Sequence, residues 1–296
     1  MNAPTSPLAL AQGLGRFDEA VAAAFAGAGA TRHVRDRLIE RVHAGGFDRM
    51  LLRSGANLPE LPVAVERRAA VNSIDFAFEP LVLPGLSVAQ ATAYLRAVET
   101  SLSQVEAEGL DAPGPLWIDT LHHACVFSVL FQLAAHLRRR RGCDRIVLLH
   151  QGVRPEPRLD LCANLLARVH GIELVRLKLR PGWFPALARL LGPGSAVFYL
   201  TDMPRETLAP AARVRRGGMS RLELDAGGGT LRSVETVSGS AAFARRLGAS
   251  HLALDYPGPG RVRIAPHDAA RPARCPIEDW VFWPVLTAGA TDRGVA

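Results

Sequence analysis

The chain carries a single lysine, Lys178, and only four cysteines (Cys125, Cys143, Cys162, Cys275), none of them spaced as a Cys-x-x-Cys pair. That scarcity excludes a disulfide scaffold or a zinc ribbon and fits a reducing compartment, so a cytoplasmic location is expected. Long apolar runs are missing too. The longest, "ACVFSVLFQLAA", is too short to span a bilayer and is flanked by histidines and arginines. The start "MNAPTSPLALAQGLGRFDEA" has no basic stretch ahead of an apolar run, so no signal peptide is expected. No Gly-x-Ser-x-Gly elbow occurs, which leaves a hydrolase-type serine mechanism without support. The "DAGGGT" stretch lacks the lysine of a phosphate loop and reads as a hairpin turn.

What remains is an ordinary folded composition, 48% hydrophobic and 21% charged. At 296 residues the chain can bury one large core. The net charge of +7 comes almost wholly from arginine. It favours acidic partners such as phosphate groups, an acidic carrier protein or an anionic membrane surface, so peripheral membrane contact stays open. No nucleic-acid module accompanies the charge, and nucleic acid is not an expected partner.

The first hundred or so residues read as helices and loops. "RFDEAVAAAFAGA", "TRHVRDRLIERVHAGGF" and "SVAQATAYLRAVETSLSQVEAEG" carry helical apolar spacing. Ser87 is the expected N-cap of the last and Gly109 its stop. Between them "NLPELPVAVERRAAVNSIDFAFEPLVLPGL" is punctuated by proline and reads as a surface wrap. A junction falls at "GLDAPGP", dense in glycine and proline.

From Pro115 strands and helices alternate. "PLWID", "DRIVLLHQG", "IELVRLKL" and "SAVFYLTD" read as strands, separated by amphipathic or apolar helical stretches. "MSRLELDAGGGTLRSVET" reads as a hairpin, and "SHLALDYPGPGRVRIAP" adds two more strands. The expectation is an α/β fold with a mostly parallel sheet covered by helices and an N-terminal helical region. The expected division is 1–110, helical, and 111–296, α/β.

In such sheets ligands sit beyond the carboxyl ends of the strands. That directs attention to 119–123, 150–154 and 201–204. In "WIDTLHHACVFSV", His122 and His123 are either a catalytic base at a strand end or polar filling at a strand-to-helix junction. A zinc site drawing on His122, His123, His136 and His150 lacks a compact ligand motif, and no metal is expected. Arg154 is either a surface guanidinium or an anion contact, since arginine suits phosphate and phosphopantetheine. Arg138 to Arg141 close a helix and complement its dipole, or else meet an acidic carrier protein.

The order of these features resembles the lysophospholipid acyltransferase-like superfamily, and most closely the late acyltransferases of lipid A biosynthesis. "LWIDTLHHACVF" stands where those enzymes place a His-x-x-x-x-Asp/Glu motif after a strand. "QGVRPEPRLDLCANLLARVHGIELV" resembles a second block, with Arg154 at its arginine, and "ALARLLGPGSAVFYLTDMP" a third, with Asp202 at its aspartate. "VSGSAAFARRLGASHLAL" and the tail "IEDWVFWPVL" also have counterparts. The motif itself is degenerate: its acidic position falls on Phe127 counting from His122, or on Ser128 counting from His123.

The resemblance implies acyl transfer from a carrier-protein or coenzyme A thioester to a hydroxyl or amine, with no bound cofactor. His122 or His123 would be the base. Asp202 would be the better substitute for the missing acid, with Asp119 as the other option. Arg154, Asp119, Phe127 and Ser128 would line the substrate site. The family's membrane-spanning segment is missing from this sequence, which suggests a small, diffusible acceptor, as in specialised-metabolite assembly. The alternative is a catalytically inactive member that binds an acyl chain, a carrier protein or a partner enzyme.

Overall fold

A computed structural model of the chain describes residues 21, 23, 32–45, 62–101, 104–150, 157–202, 219–227, 230–237, 240–258, 261–280 and 292–294. Three helices, α1 (Arg32–His43), α2 (Val63–Val82) and α3 (Val88–Ser101), precede the main alternation. There β2 (Leu116–Thr120), α4 (Val126–Arg141), β3 (Arg145–His150), α5 (Pro157–Leu165), β4 (Glu173–Lys178), α6 (Trp183–Leu190) and β5 (Ser195–Leu200) follow in turn. A hairpin of β6 (Met219–Asp225) and β7 (Thr230–Val237) comes next. The described chain then runs through α7 (Ser240–Arg246), β8 (Ser250–Gly258), β9 (Arg261–Pro266), β10 (Ala273–Pro276) and β11 (Asp292–Gly294).

The main sheet has seven strands in the order β1-β9-β8-β2-β5-β3-β4, where β1 is Gln104–Ala107. Strands β8, β2, β5, β3 and β4 run parallel to one another, while β9 is antiparallel to β8 and carries β1 alongside. Alternation along β2 divides the core between two faces. Leu116 and Ile118 join the larger cluster with the N-terminal helices, α4 and α5, whereas Trp117 packs with Leu187 of α6 and Ala244 of α7. A second sheet, β10-β6-β7-β11, contains the glycine-turned hairpin expected from the sequence. Among the described residues, no helix is long and apolar enough to cross a membrane.

Local chemistry accounts for the helix ends. Ser87 Oγ accepts the Gln90 N–H (3.3 Å) and the Ser87 N–H donates to Gln90 Oε1 (2.9 Å), a reciprocal cap at the start of α3. Helix α4 buries Val129, Leu130, Leu133, Ala134 and Leu137 on one face. Each large side chain there contributes about 1.5–3 kcal/mol. Gly142 stops it at φ 64°, a left-handed conformation that a side chain would resist.

Two expectations are corrected and a third is extended. The proline-punctuated segment is not a surface wrap: Val63–Val82 is helical and buries Ala69, Ala70, Ile74 and Phe78. Pro62 precedes that helix, Pro84 lies in the 3₁₀ turn Leu83–Gly85, and only Pro80 falls inside, in the last turn. Helix α3 ends at Ser101 rather than Gly109, because the chain turns into β1 and pairs with β9. The third concerns Arg141, whose guanidinium does more than close a helix. It donates to the carbonyls of Leu110 (2.8 Å), Ala112 (2.6 Å), Gly114 and Pro193 (3.1 Å). The junction at 109–115 is therefore clamped, and the helices before it share one hydrophobic cluster with the sheet.

Candidate functional site

Parallel pairing of β2 with β5 builds the site. Thr120 stands opposite Leu200, and the Thr201 N–H extends the ladder to the Thr120 carbonyl at 3.0 Å. Two residues beyond that pair on each strand, His122 and Asp202 meet. The His122 Nδ1 lies 2.6 Å from Asp202 Oδ1, and the His122 backbone N–H donates to Oδ2 at 2.7 Å. Trp280 Nε1 donates to the same Oδ2 at 2.6 Å. The Asp202 side chain is wholly buried, while His122 keeps 27% of its side chain exposed.

Asp202 is the acceptor for the His122 backbone N–H and the Trp280 indole N–H, and its other oxygen faces the imidazole. In the tautomer that donates from Nδ1 to this oxygen, Nε2 is the basic ring nitrogen.

His123 has a different environment, although it is the next residue. It is buried and stacks on Tyr256 with ring centroids 3.8 Å apart and planes at 12°. Its Nδ1 accepts the Cys125 N–H at 3.0 Å, which turns Nε2 toward Asp279 Oδ2 at 3.6 Å. Asp279 is in turn held by Arg68 (3.2 and 3.1 Å) and by Asn72 (2.9 Å). Burial works against its ionisation. The neighbouring His123, with Arg68 and Asn72, outweighs that and holds the carboxyl below its usual range. The Ala124 N–H donates to the Asp279 carbonyl at 2.9 Å, and His123 forms a β-bridge with Trp280. His123 is thus part of the packing that anchors the "IEDW" stretch, and the adjacent pair divides into an accessible imidazole and a sealed one.

The motif's acidic position holds no carboxylate in space either. Phe127 lies beneath the Arg158 guanidinium, 4.9 Å from its ring centroid, and Arg158 pairs with Glu79 Oε2 at 3.3 Å. Tyr94 donates to the other Glu79 oxygen. Burial foremost raises the Glu79 carboxyl above its ordinary value. Phe127, Ser128, Arg158, Glu79 and Cys125 border a cavity of about 30 Å³, room for roughly one or two waters. Ser128 itself is buried in α4. Burial, helped by the Asp279 charge, pushes the Cys125 thiol up to about 12, so it is no thiolate nucleophile near neutrality.

Asp119 belongs to the opposite face of β2, with Trp117. Its carboxylate accepts from Trp117 Nε1 (2.9 Å) and Ser240 Oγ (2.6 Å) and meets His251 Nε2 at 2.8 Å. Neither His122 nor His123 is among its partners. His251 stacks on His267, with centroids 4.0 Å apart and planes at 10°. Asp119 and His267 line a cleft of about 540 Å³ that also reaches Leu121, Thr201, Asp255 and Arg263.

Among the described residues, the group able to hold a metal ion is Asp119, His251 and His267. His122, His123, His136 and His150 form no such cluster. Arg154 lies outside the described residues. Both members of the His122–Asp202 pair are candidates legible in the sequence. Trp280 and Asp279, which back the two histidines, and Arg68 and Asn72, which hold Asp279, are not among those candidates. Only the "IEDW" tail hinted at the first two. Compared with known proteins, the chain matches no family model and no curated sequence.

Proposed function

We propose that the protein transfers an acyl group from a carrier-protein or coenzyme A thioester to the hydroxyl or amine of a diffusible acceptor. The observation that carries this reading is the 2.6 Å contact between His122 Nδ1 and the fully buried Asp202 carboxylate. General-base catalysis needs an imidazole with a fixed tautomer and a basic nitrogen on the other side. His122 Nε2 takes the acceptor proton as the acceptor's oxygen or nitrogen bonds to the thioester carbonyl carbon. The tetrahedral adduct then collapses, the carbon–sulfur bond breaks, and the imidazolium returns the proton to the departing thiolate. Asp202 stabilises the imidazolium between these steps and replaces the carboxylate absent from Phe127. Arg154 is the proposed contact for the donor's phosphate.

The test follows thiol release and product mass with acyl thioesters and a panel of hydroxyl and amine acceptors. Acceptor-dependent release that His122→Ala abolishes is expected. Release that is absent throughout, or is equal in wild type and His122→Ala, overturns the proposal. A second reading, an acyl-binding protein without turnover, draws support from Phe127 and Arg158 filling the turn where the motif acid belongs. It predicts stoichiometric binding of an acyl thioester that persists unchanged.

A further inference from the structure

The second histidine–carboxylate group, on the far face of β2, has no part in the proposed acyl transfer, yet its donor set is that of a metal centre. Asp119, His251 and His267 each offer one donor atom, and the three atoms lie within 4.8 Å of one another. A tetrahedral zinc ion holds nitrogen and oxygen donors about 3.3 Å apart, within that span. Two imidazoles with one carboxylate suit zinc and its transition-metal neighbours, whereas magnesium and calcium favour all-oxygen sets.

The surroundings supply what a metal centre requires beyond its ligands. Trp117 Nε1 (2.9 Å) and Ser240 Oγ (2.6 Å) orient the Asp119 carboxylate, the kind of outer support that fixes a ligating oxygen. His251 sits on β8 beside β2, opposite Trp117 in the register. The His267 N–H donates to the His251 carbonyl at 2.9 Å, so the two imidazoles are tied through the backbone. Asp119 and His267 both face the cleft of about 540 Å³, which leaves room for water or another ligand at the remaining positions.

We infer that Asp119, His251 and His267 form a divalent transition-metal site opening onto this cleft. One rearrangement is required. A metal lies in the plane of each imidazole that binds it, and the rings now lie nearly parallel, at 10°. His267 turns out of the stack. It is half-buried and lines the cleft, so the turn gives up the stacking contact and the ring's hydrogen bond to its own backbone. His251 Nε2 exchanges its hydrogen bond with Asp119 for the ion.

The experiment titrates the chelator-treated full-length protein with zinc by calorimetry and locates the ion by anomalous diffraction at the zinc edge. One equivalent at this cluster is expected, undisturbed by excess magnesium. His267→Ala is expected to weaken uptake at least about tenfold, and His251→Ala to do the same, whereas His122→Ala binds as the wild type does. His267→Ala leaves the hydrogen bonds of Asp119 intact, so its readout does not depend on a variant that disturbs folding. Absence of stoichiometric uptake by the folded protein, or uptake that neither histidine substitution weakens, overturns the inference.

Discussion

Trp280 and His122 share one carboxylate. The indole N–H and the His122 backbone N–H both donate to Oδ2 of Asp202, leaving Oδ1 to the imidazole. This arrangement makes Asp202 an orienting group, held by a residue outside the strands it joins.

Asp202→Asn preserves size but presents either an amide N–H or a neutral oxygen to His122. The imidazole loses its fixed tautomer and the imidazolium its counter-charge. Acceptor-dependent thiol release is expected to fall about 10²–10⁴-fold with the fold retained, as checked by circular dichroism beside steady-state rates.

Trp280→Phe fills most of the same volume in a fully buried position and removes the indole donor. The Asp202 carboxylate then lacks one of its three donors in the interior. A loss of about 1–3 kcal/mol in unfolding free energy is expected by urea denaturation. Unchanged stability would show that the indole contact contributes little.

The cysteines provide a pH test. Burial pushes Cys125 and Cys162 up to about 12 and raises Cys143 and Cys275 above their ordinary value of 9.0. All four therefore stay neutral in the folded protein at pH 8, and slow reaction with a thiol reagent is expected until denaturant is added. The unfolded thiols ionise first as pH climbs beyond 9.0, so this contribution to stability is intact below that pH and is lost as pH rises toward 12.

Asp279 acts in the opposite direction, since its folded carboxyl lies below the ordinary 3.8. Its stabilisation is present above that value and disappears as pH falls through the lowered one. Asp279→Asn is expected to cost stability at pH 7 and to flatten the acid limb of the stability profile. Denaturation midpoints measured from pH 7 down to pH 3 check this.

Arg141→Met keeps much of the side-chain length but releases four carbonyls, three from the 110–114 stretch and that of Pro193 in the turn before β5. About 2 kcal/mol of stability should be lost, and limited proteolysis should begin to cut within 109–115. A junction as resistant as in the wild type would show that the clamp is not what holds this segment.

Much of the fold was legible because its signals are local. The cap at Ser87, the glycine stop after Arg141, the glycine-turned hairpin and the alternation from Leu116 onward all depend on residues a few positions apart. The helix at Val63–Val82 was hidden by prolines that stand mostly outside it. β1 was hidden because four residues acquire a strand's character only beside β9.

The sequence by itself determined that strands and helices alternate, that His122 and His123 follow a strand, and that an aspartate ends another. Only the tertiary structure decided which imidazole meets Asp202, which is sealed against Tyr256, and that Asp119 turns instead to His251. Those outcomes depend on β5 lying beside β2 in one register and on "IEDW" folding back over the strand ends. Contacts between segments so far apart in the chain leave no periodic trace within either of them.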